Sequence, residues 1–301
     1  MAISLGQAIR DAASAVRRAG IEAAEREALA LAAWVLDVST AIAFAHPERE
    51  LTAEQEARFR QGVERRTSRE PFAYITGRAE FYGLDFVVDR RVIVPRPETE
   101  HVVEQALAIA SEFPKPMVVD IGTGSGCIAV AVAHNVPQAE VYAIDLSADA
   151  LQVAAENVRR HQLENRVRLL HGDLLEPLPK PVHVIACNPP YIAIGEFPNL
   201  MPEVRDYGPR SALDGGEDGL AVIRRVVDAA PAHLLGRGAL VMEIGAGQGA
   251  AVLALAKPRF AAARIECDLA GLDRVLVARV ADASREPNRR RGPSHRSRGA
   301  T

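Results

Sequence analysis

The feature that most constrains the fold is the segment 117–133, where an apolar strand pattern leads into a glycine-rich turn and then a helix pattern. Glycine occupies every second position of the turn, at Gly122, Gly124 and Gly126. Glycine allows a tight turn and a close approach of the backbone to a ligand, and the following helix presents free N–H groups. Strand and helix patterns alternate from residue 96 onward, which predicts an α/β fold with a doubly wound, mostly parallel sheet and helices on both faces.

Two later strand patterns end in aspartate. Residues 141–145 end in Asp145, whose carboxylate suits the hydroxyls of a ribose, and residues 167–173 end in Asp173, which suits an adenine amino group. Cys127 stands where the dinucleotide motif G-x-G-x-x-G requires its last glycine. This argues against a nicotinamide cofactor.

The sequence Asn188-Pro189-Pro190-Tyr191 follows the fourth strand pattern, residues 182–187. Neither proline can donate a backbone hydrogen bond, and each fixes its own φ. The result is a stiff, carbonyl-rich corner at the carboxyl end of a strand, where open α/β sheets bind their ligands. This corner suits a planar amide or an exocyclic amino group. The glycine turn, the two aspartates and the corner together indicate a site for S-adenosylmethionine.

Further motifs are spread along the chain. They are Tyr74-Ile75-Thr76-Gly77, Phe81-Tyr82-Gly83, Pro95-Arg96-Pro97-Glu98-Thr99-Glu100, Ala212-Leu213-Asp214-Gly215-Gly216, Asp218-Gly219-Leu220, Glu243-Ile244-Gly245 with Gln248, and Asp268-Leu269-Ala270-Gly271. With these motifs and the Asn-Pro-Pro-Tyr corner, the chain resembles the release-factor glutamine N5-methyltransferases (the PrmC/HemK family) up to about Ala283. Gly208 departs from the family pattern, which usually has an acidic residue there, and Leu174 stands where the family often has an aromatic one. The segment 277–279 lacks the glycine usual before its arginine.

This resemblance implies a Rossmann-like methyltransferase sheet with a small N-terminal helical bundle and a β-hairpin linker. It implies methylation, by S-adenosylmethionine, of the side-chain amide nitrogen (N5) of the glutamine in the Gly-Gly-Gln motif of bacterial class I peptide-chain release factors. The residues alone support only an amide or amino nitrogen as the acceptor. We expect a helical domain over 1–70, with candidate capping boxes at Ser4-x-x-Gln7 and Thr52-x-x-Gln55. The resemblance implies that this domain helps to grip the protein substrate. A linker over 71–95, a methyltransferase domain over 96–283 and a disordered arginine-rich tail over 284–301 would follow.

The residues near the expected site divide into two sets. The predicted cofactor-binding residues are Gly122, Thr123, Gly124, Ser125 and Gly126 for the methionine end, Asp145 for the ribose, Asp173 and Leu174 for the adenine, and Asn188. The predicted catalytic residues are Asn188, Pro189, Pro190 and Tyr191. An amide nitrogen is a poor nucleophile because its lone pair is delocalised. The Asn188 side-chain oxygen and the Pro189 carbonyl would hold its two N–H bonds and aim the lone pair at the methyl group, while Tyr191 packs against the substrate.

Some local patterns have two interpretations. Arg96 and Thr99 either close over the cofactor or form a helix N-terminal cap, with Thr99 and Glu100 in the first turn. The segment 241–249 copies the strand and glycine-turn pattern, but too few residues follow it to complete a doubly wound sheet. We interpret it as a structural turn beneath the true site. Strand runs at 81–88 and 91–94 predict the hairpin of the linker.

Two other functions are compatible with an S-adenosylmethionine site. An N6-adenine methyltransferase acting on DNA or RNA needs a basic groove or an aromatic platform. The formal net charge is −3, and because residues 284–301 hold six arginines and one glutamate, the rest of the chain carries −8. Only 5% of residues are aromatic. A non-catalytic S-adenosylmethionine-binding protein would have a damaged acceptor corner, whereas Asn-Pro-Pro-Tyr is intact.

Composition limits the setting of the protein. No apolar run approaches the ~20 residues that span a bilayer, and the start of the chain lacks a secretory layout. The three cysteines, Cys127, Cys187 and Cys267, are expected to be reduced, buried core residues rather than disulfides or metal ligands. We therefore expect a cytoplasmic, monomeric enzyme that needs no metal, membrane or nucleic acid.

Overall fold

The computed structural model describes residues 3–282, so the predicted tail at 284–301 lies outside the described residues. Helices come first in the chain. They are α1 (Leu5–Arg18), α2 (Ala24–Leu36), α3 (Thr40–Ala45), α4 (Ala53–Thr67) and α5 (Phe72–Thr76). Their apolar faces pack into one small core that includes Leu5, Leu31 and Phe59. The expected helical bundle is therefore present, with a core of its own.

Of the two capping boxes predicted from the sequence, one is complete and the other is only half formed. Thr52 and Gln55 form a complete capping box, in which each side chain accepts from the other residue's backbone N–H. Ser4 also accepts from the N–H of Gln7, but the Gln7 side chain donates to Asp11 instead of returning to Ser4. The predicted box at Ser4 is therefore wrong, and Ser4 is a simple N-cap.

A two-stranded antiparallel hairpin follows, made of β1 (Arg78–Phe81) and β2 (Leu84–Val87). Its turn is Tyr82-Gly83, and both residues have positive φ, 52° and 72°, as a type I′ turn requires. The predicted run 81–88 is therefore divided by the turn, and 91–94 is not a strand. The segment 91–94 instead runs on into the methyltransferase domain, and Tyr74 donates a 2.6 Å hydrogen bond to the Val92 carbonyl.

The main sheet has seven strands in the order β5-β4-β3-β6-β7-β9-β8 among the described residues. The strands are β3 (Met117–Ile121), β4 (Glu140–Asp145), β5 (Val167–His171), β6 (Val182–Cys187), β7 (Leu234–Glu243), β8 (Ala262–Cys267) and β9 (Asp273–Arg279). Strands β3 to β7 are parallel, and β9 is antiparallel to both of its neighbours. The predicted doubly wound, mostly parallel sheet is confirmed.

Helices cover both faces of this sheet. They are α6 (Glu100–Ala110), α7 (Cys127–Asn135), α8 (Ala148–Arg160), α9 (Pro202–Arg205), α10 (Ala221–Ala229) and α11 (Gly249–Ala256). One face packs on α6, α7 and α8, and the other packs on α10 and α11. Since β3 lies between β4 and β6, the chain leaves β3 in one direction and later returns to its other side. This switch of direction opens a crevice at the carboxyl ends of β3 and β6.

Three expectations about the setting can be compared with the structure. Over residues 3–282, no helix is both long enough and apolar enough to cross a membrane. The same residues contain no cluster of His, Cys, Asp and Glu that could hold a metal ion. All three cysteines are free, and Cys127 and Cys187 are buried. Cys267 is exposed, so its predicted burial is wrong, because it ends β8 at the open edge of the sheet.

Candidate active site

A cavity of about 420 Å³ lies at the crevice between β3 and β6. Its walls include most of the residues predicted from the sequence. These are Gly122, Thr123, Gly124, Ser125, Asp145, Asp173, Leu174, Asn188, Pro189 and Pro190. Gly126 and Tyr191 are not on its walls. The structure thus brings the glycine turn and the acceptor corner to one cavity, although 62 or more residues separate them in the chain.

The glycine turn is held by its own sequence. Gly122 and Gly124 have φ of 67° and 55°, in the left-handed region that glycine occupies without strain. Asp120, fully buried before the turn, accepts hydrogen bonds from the Thr123 hydroxyl at 2.6 Å and from the N–H of Ala129 at 3.1 Å. Burial raises the pKa of the Asp120 carboxyl to about 7, although the two hydrogen bonds act in the opposite direction and lower it. Asp120 therefore ties the turn to the first turn of α7.

Gly126 has a packing role in the structure. It caps α7 with φ of 83°, and a Cβ built on it would lie 3.4 Å from the backbone of Ala154 in α8. A Cβ there would touch α8 at van der Waals distance, so α7 and α8 are close together at this point. The positive φ is what favours glycine as the third glycine of the turn.

Asp145 is oriented by two backbone N–H groups at the end of β4. Gly124 and Ser147 each donate a 2.8 Å hydrogen bond to its carboxylate, one to each oxygen. The carboxylate is half-exposed on the cavity wall, and each of its oxygens can accept a further hydrogen bond. It therefore suits a pair of hydroxyl groups. Asp145 thus links the glycine turn to the wall expected to hold the ribose.

Asp173 and Leu174 follow β5 and form the far end of the cavity. The Asp173 carboxylate accepts a 2.5 Å hydrogen bond from Arg225 of α10. Leu174 has a φ of 48°, a left-handed conformation that few non-glycine residues adopt. Arg225 could not be predicted from the sequence, because it lies 52 residues beyond its partner and carries no local motif.

The acceptor corner is connected to two other parts of the chain. The Asn188 side chain donates from Nδ2 to the Thr99 hydroxyl at 3.0 Å, and that hydroxyl donates to Oε2 of Glu243 at 2.6 Å. The Tyr191 hydroxyl donates to Oε1 of Glu243 at 3.1 Å. Thr99 is the N-cap residue of α6 and Glu100 lies in its first turn, but the Thr99 side chain makes no capping bond. Arg96 and Thr99 both lie on the cavity wall, so the two interpretations are compatible.

The segment 241–249 supports this corner from behind. It contains the end of β7, and Glu243 is 2% exposed. Burial raises the pKa of the Glu243 carboxyl, and burial also raises that of the Tyr191 hydroxyl. Gln248 donates to the Tyr191 carbonyl at 3.0 Å. The interpretation as a structural turn beneath the site agrees with these contacts.

A second group of contacts joins the helical bundle to the chain that follows the corner. Glu203 accepts hydrogen bonds from Arg66 at 3.1 Å and from Arg69 at 2.7 Å, and both arginines lie at the end of α4. The Tyr207 hydroxyl donates to the Ser68 carbonyl at 2.6 Å. We name this group, Arg66, Arg69, Glu203, Tyr207 and Ser68, the domain clamp. No local sequence pattern predicts it, because its partners lie more than 130 residues apart.

The domain clamp borders a further cavity. Its volume is about 460 Å³, and it lies between the bundle, the hairpin and the residues 201–213. The two cavities share the wall residues Ile93, Val94 and Arg96. The clamp cavity therefore adjoins the cavity that contains Asn188.

Comparison with known proteins gives the family. The family models of the PrmC N-terminal domain and the methyltransferase small domain match residues 7–77 and 104–201. The release factor glutamine methyltransferase of Geobacter sulfurreducens is 42% identical over 87% of this chain and 91% of that protein. The chain belongs to the release factor glutamine methyltransferase family. The family member from Moorella thermoacetica is 40% identical over 92% of this chain and 98% of that protein.

A solved structure supports the fold. A methyltransferase from Pyrococcus furiosus aligns with a TM-score of 0.50 at 15% identity, covering 76% of this chain and 100% of that one. As a release factor glutamine methyltransferase, the protein uses S-adenosylmethionine as its cofactor.

The cavity fits this cofactor in its layout. Along the sheet edge, β5, β4, β3 and β6 are consecutive, and neighbouring strands lie about 4.8 Å apart. Asp173, Asp145, the glycine turn and Asn188 therefore follow one another along the cavity. This order matches the adenine, the ribose and the methionine of the cofactor, with the acceptor corner next to the last of them.

Proposed function

We propose that this protein methylates the side-chain amide nitrogen of the glutamine in the Gly-Gly-Gln motif of class I release factors. The observation that carries the proposal is the position of Asn188, which lies on the wall of the same cavity as the glycine turn. The side-chain nitrogen of Asn188 donates a hydrogen bond to the Thr99 hydroxyl. An amide oxygen is then available for a substrate N–H group.

Two acceptors at the corner suit a primary amide. They are the Asn188 side-chain oxygen and the Pro189 carbonyl, to which no group among residues 3–282 donates a hydrogen bond. A primary amide has two N–H donors on one nitrogen, so the pair would fix that nitrogen in place. Bound S-adenosylmethionine supplies an electrophilic methyl group. The contribution of the corner is orientation, which can account for about 7–11 kcal/mol of a barrier in well-aligned reactions.

Tyr191 supports the corner rather than the cofactor. Its hydroxyl is held by Glu243 and its carbonyl by Gln248, so the ring is fixed beside the two prolines. We propose that the ring excludes water from the acceptor side. Removal of water strengthens the hydrogen bonds that hold the substrate amide.

We propose that the helical bundle, residues 1–70, grips the release factor together with the clamp cavity. Two features support this. The cavity adjoins the site that holds Asn188, and the domain clamp joins the bundle to the chain that follows the acceptor corner. A protein loop in the clamp cavity would reach the acceptor corner along residues 93–96.

We further propose that the enzyme works as a monomer in the cytoplasm, where release factors act, and requires no nucleic acid. The charge of −8 outside the tail supports the last point, because nucleic-acid affinity depends on neutralising phosphates. Light scattering of the purified protein would give its oligomeric state. A mass of twice the chain at micromolar concentration would contradict the monomer.

The function is tested with labelled S-adenosylmethionine and three acceptors offered separately. They are an unmodified class I release factor, a copy in which the Gly-Gly-Gln glutamine is replaced, and mixed DNA and RNA. We expect label on the intact release factor alone. Label on nucleic acid alone would favour adenine methylation, and cofactor binding without any transfer would favour a non-catalytic binding protein.

A further inference from the structure

Four side chains behind the acceptor corner form a continuous hydrogen-bonded chain. We name this set, Asn188, Thr99, Glu243 and Tyr191, the amide relay. Its links are 3.0 Å from Asn188 to Thr99, 2.6 Å from Thr99 to Glu243 and 3.1 Å from Tyr191 to Glu243. Thr99 and Glu243 are each 2% exposed. Water therefore has little access to the middle of the relay.

When the Glu243 carboxyl is ionised, counting donors and acceptors fixes the direction of every bond. The carboxylate then only accepts, so it receives the hydroxyl protons of both Thr99 and Tyr191. The Thr99 hydroxyl has one proton, and once that proton points at Glu243 its oxygen can only accept from Asn188. Asn188 must then turn its NH2 group towards Thr99. Its oxygen is left on the other side, as the proposed reaction needs.

The reverse orientation of the Asn188 amide would remove the acceptor from the site. An NH2 group facing the substrate would meet the N–H donors of the glutamine side chain, and two donors repel each other. The backbone of the corner does not decide between the two orientations, since a primary amide is nearly symmetric in shape. The decision rests with the atom that Asn188 faces, which is the Thr99 oxygen.

We propose that Thr99 and Glu243 are positioning residues that hold the Asn188 amide with its oxygen towards the substrate. This inference rests on the proposed function. It gives the acceptor corner a support from distant parts of the chain: Thr99 lies 89 positions from Asn188 and 144 positions from Glu243. Neither residue needs to touch the reacting atoms.

The burial of Glu243 supports a role beyond packing. Among residues 3–282, no Lys, Arg or His lies within 4 Å of its carboxylate. Arg274, whose positive charge acts on this carboxylate from a distance, is itself paired with Asp268 at 2.8 Å. A buried carboxylate without a cation is costly, and an apolar residue of the same size would be at least as stable. The carboxylate gives the relay a group that can only accept.

The test uses two matched pairs of variants. Thr99→Val removes the hydroxyl and keeps the shape, whereas Thr99→Ser keeps the hydroxyl. Glu243→Leu removes both acceptors, whereas Glu243→Gln keeps an oxygen for Thr99 and can donate its NH2 to the Tyr191 oxygen. Thermal melts and calorimetric affinity for S-adenosylmethionine are measured first, and then kcat and KM with the release factor.

We expect Thr99→Val and Glu243→Leu to lose about 100-fold in kcat, the scale of a misplaced group at a reacting centre. Their cofactor affinity should stay unchanged, and Thr99→Ser and Glu243→Gln should each recover most of the rate. Wild-type kcat in both apolar variants, or equal losses within each pair, would overturn the inference. A parallel loss of cofactor affinity would also overturn it, because the two residues would then act on the cofactor. If one pair does not fold, the other decides. Absence of transfer by the wild-type protein itself would instead contradict the proposed function.

Discussion

The two walls of the cavity are held in place by different kinds of contact. On the cofactor wall, the glycine turn is fixed by Asp120 and Asp145, which lie 3 and 21 residues from the groups they bind. On the acceptor wall, Asn188 and Tyr191 depend on partners 89 and 52 residues away. The first wall is built mainly of backbone groups and glycine conformations. The second is built of side chains from three separate parts of the chain.

This difference separates binding from chemistry. A change on the cofactor wall should alter the affinity for S-adenosylmethionine. A change on the acceptor wall should leave that affinity intact and alter the transfer or the grip on the protein substrate. A variant that changed both cofactor affinity and transfer to the same extent would contradict this separation of the two walls.

The largest effect is expected at the acceptor corner. Asn188→Ala removes the side-chain oxygen that we propose holds the substrate amide, and we expect kcat to fall by about 100- to 1000-fold, as for loss of one preorganised polar group in an active site. Because Asn188 also lies on the wall of the cofactor cavity, cofactor affinity measured by calorimetry should change, but much less than kcat. A variant that still transfers label at the wild-type rate would remove Asn188 from the reaction.

The next effect is expected on the opposite wall. Gly124 has a φ of 55°, and a β-branched residue there costs about 1–2 kcal/mol or more. Relief of this strain would move the turn and the Gly124 N–H that binds Asp145, so we expect Gly124→Val to weaken the affinity for S-adenosylmethionine about tenfold. The kcat at saturating cofactor should change less than the affinity. The comparison with Asn188→Ala is the control, because the two variants should show opposite patterns.

A smaller effect is expected at the domain clamp. Glu203→Gln removes the charge shared by Arg66 and Arg69, and hydrogen bonds to charged groups are worth about 1.5–3 kcal/mol. We expect a rise in KM for the release factor with cofactor affinity unchanged. Glu217→Gln, at an exposed glutamate outside the clamp, is the matched control and should leave both values as they are. Equal KM values for Glu203→Gln and Glu217→Gln would show that the domain clamp does not contribute to substrate binding.

The smallest effect is expected in stability, at Glu243. Burial raises the pKa of this carboxyl above its ordinary value of 4.5, so the folded state holds the proton more tightly than the unfolded chain. Stability from this group is therefore present below pH 4.5 and is lost as the pH rises through the folded pKa.

Glu243→Gln has no proton to lose at this position. Its melting temperature relative to wild type should rise from acidic to neutral pH, by about 2–4 °C for each kcal/mol recovered. A difference that stays constant with pH would show that Glu243 does not titrate in this way.

The sequence predicted the cofactor wall better than the acceptor wall for the same physical reason. The glycine turn and the aspartates at the strand ends are local patterns, and the sheet order then brings them together. The hairpin strands were misplaced because an apolar run does not reveal the positive φ of Tyr82 at its centre. Thr99 and Glu243 were both noted, but a hydrogen bond across 144 residues leaves no local pattern. The hydrogen bond between Arg66 and Glu203 spans 137 residues and likewise leaves no local pattern.

The most direct test of the account is to locate the transferred methyl group. The protein, S-adenosylmethionine and an unmodified class I release factor would be incubated, digested and analysed by tandem mass spectrometry, with Asn188→Ala run in parallel. The account predicts one methyl group on the side-chain nitrogen of the Gly-Gly-Gln glutamine, present with the wild-type protein and absent with the variant. A methyl group on another residue, or an equal yield from both proteins, would contradict it.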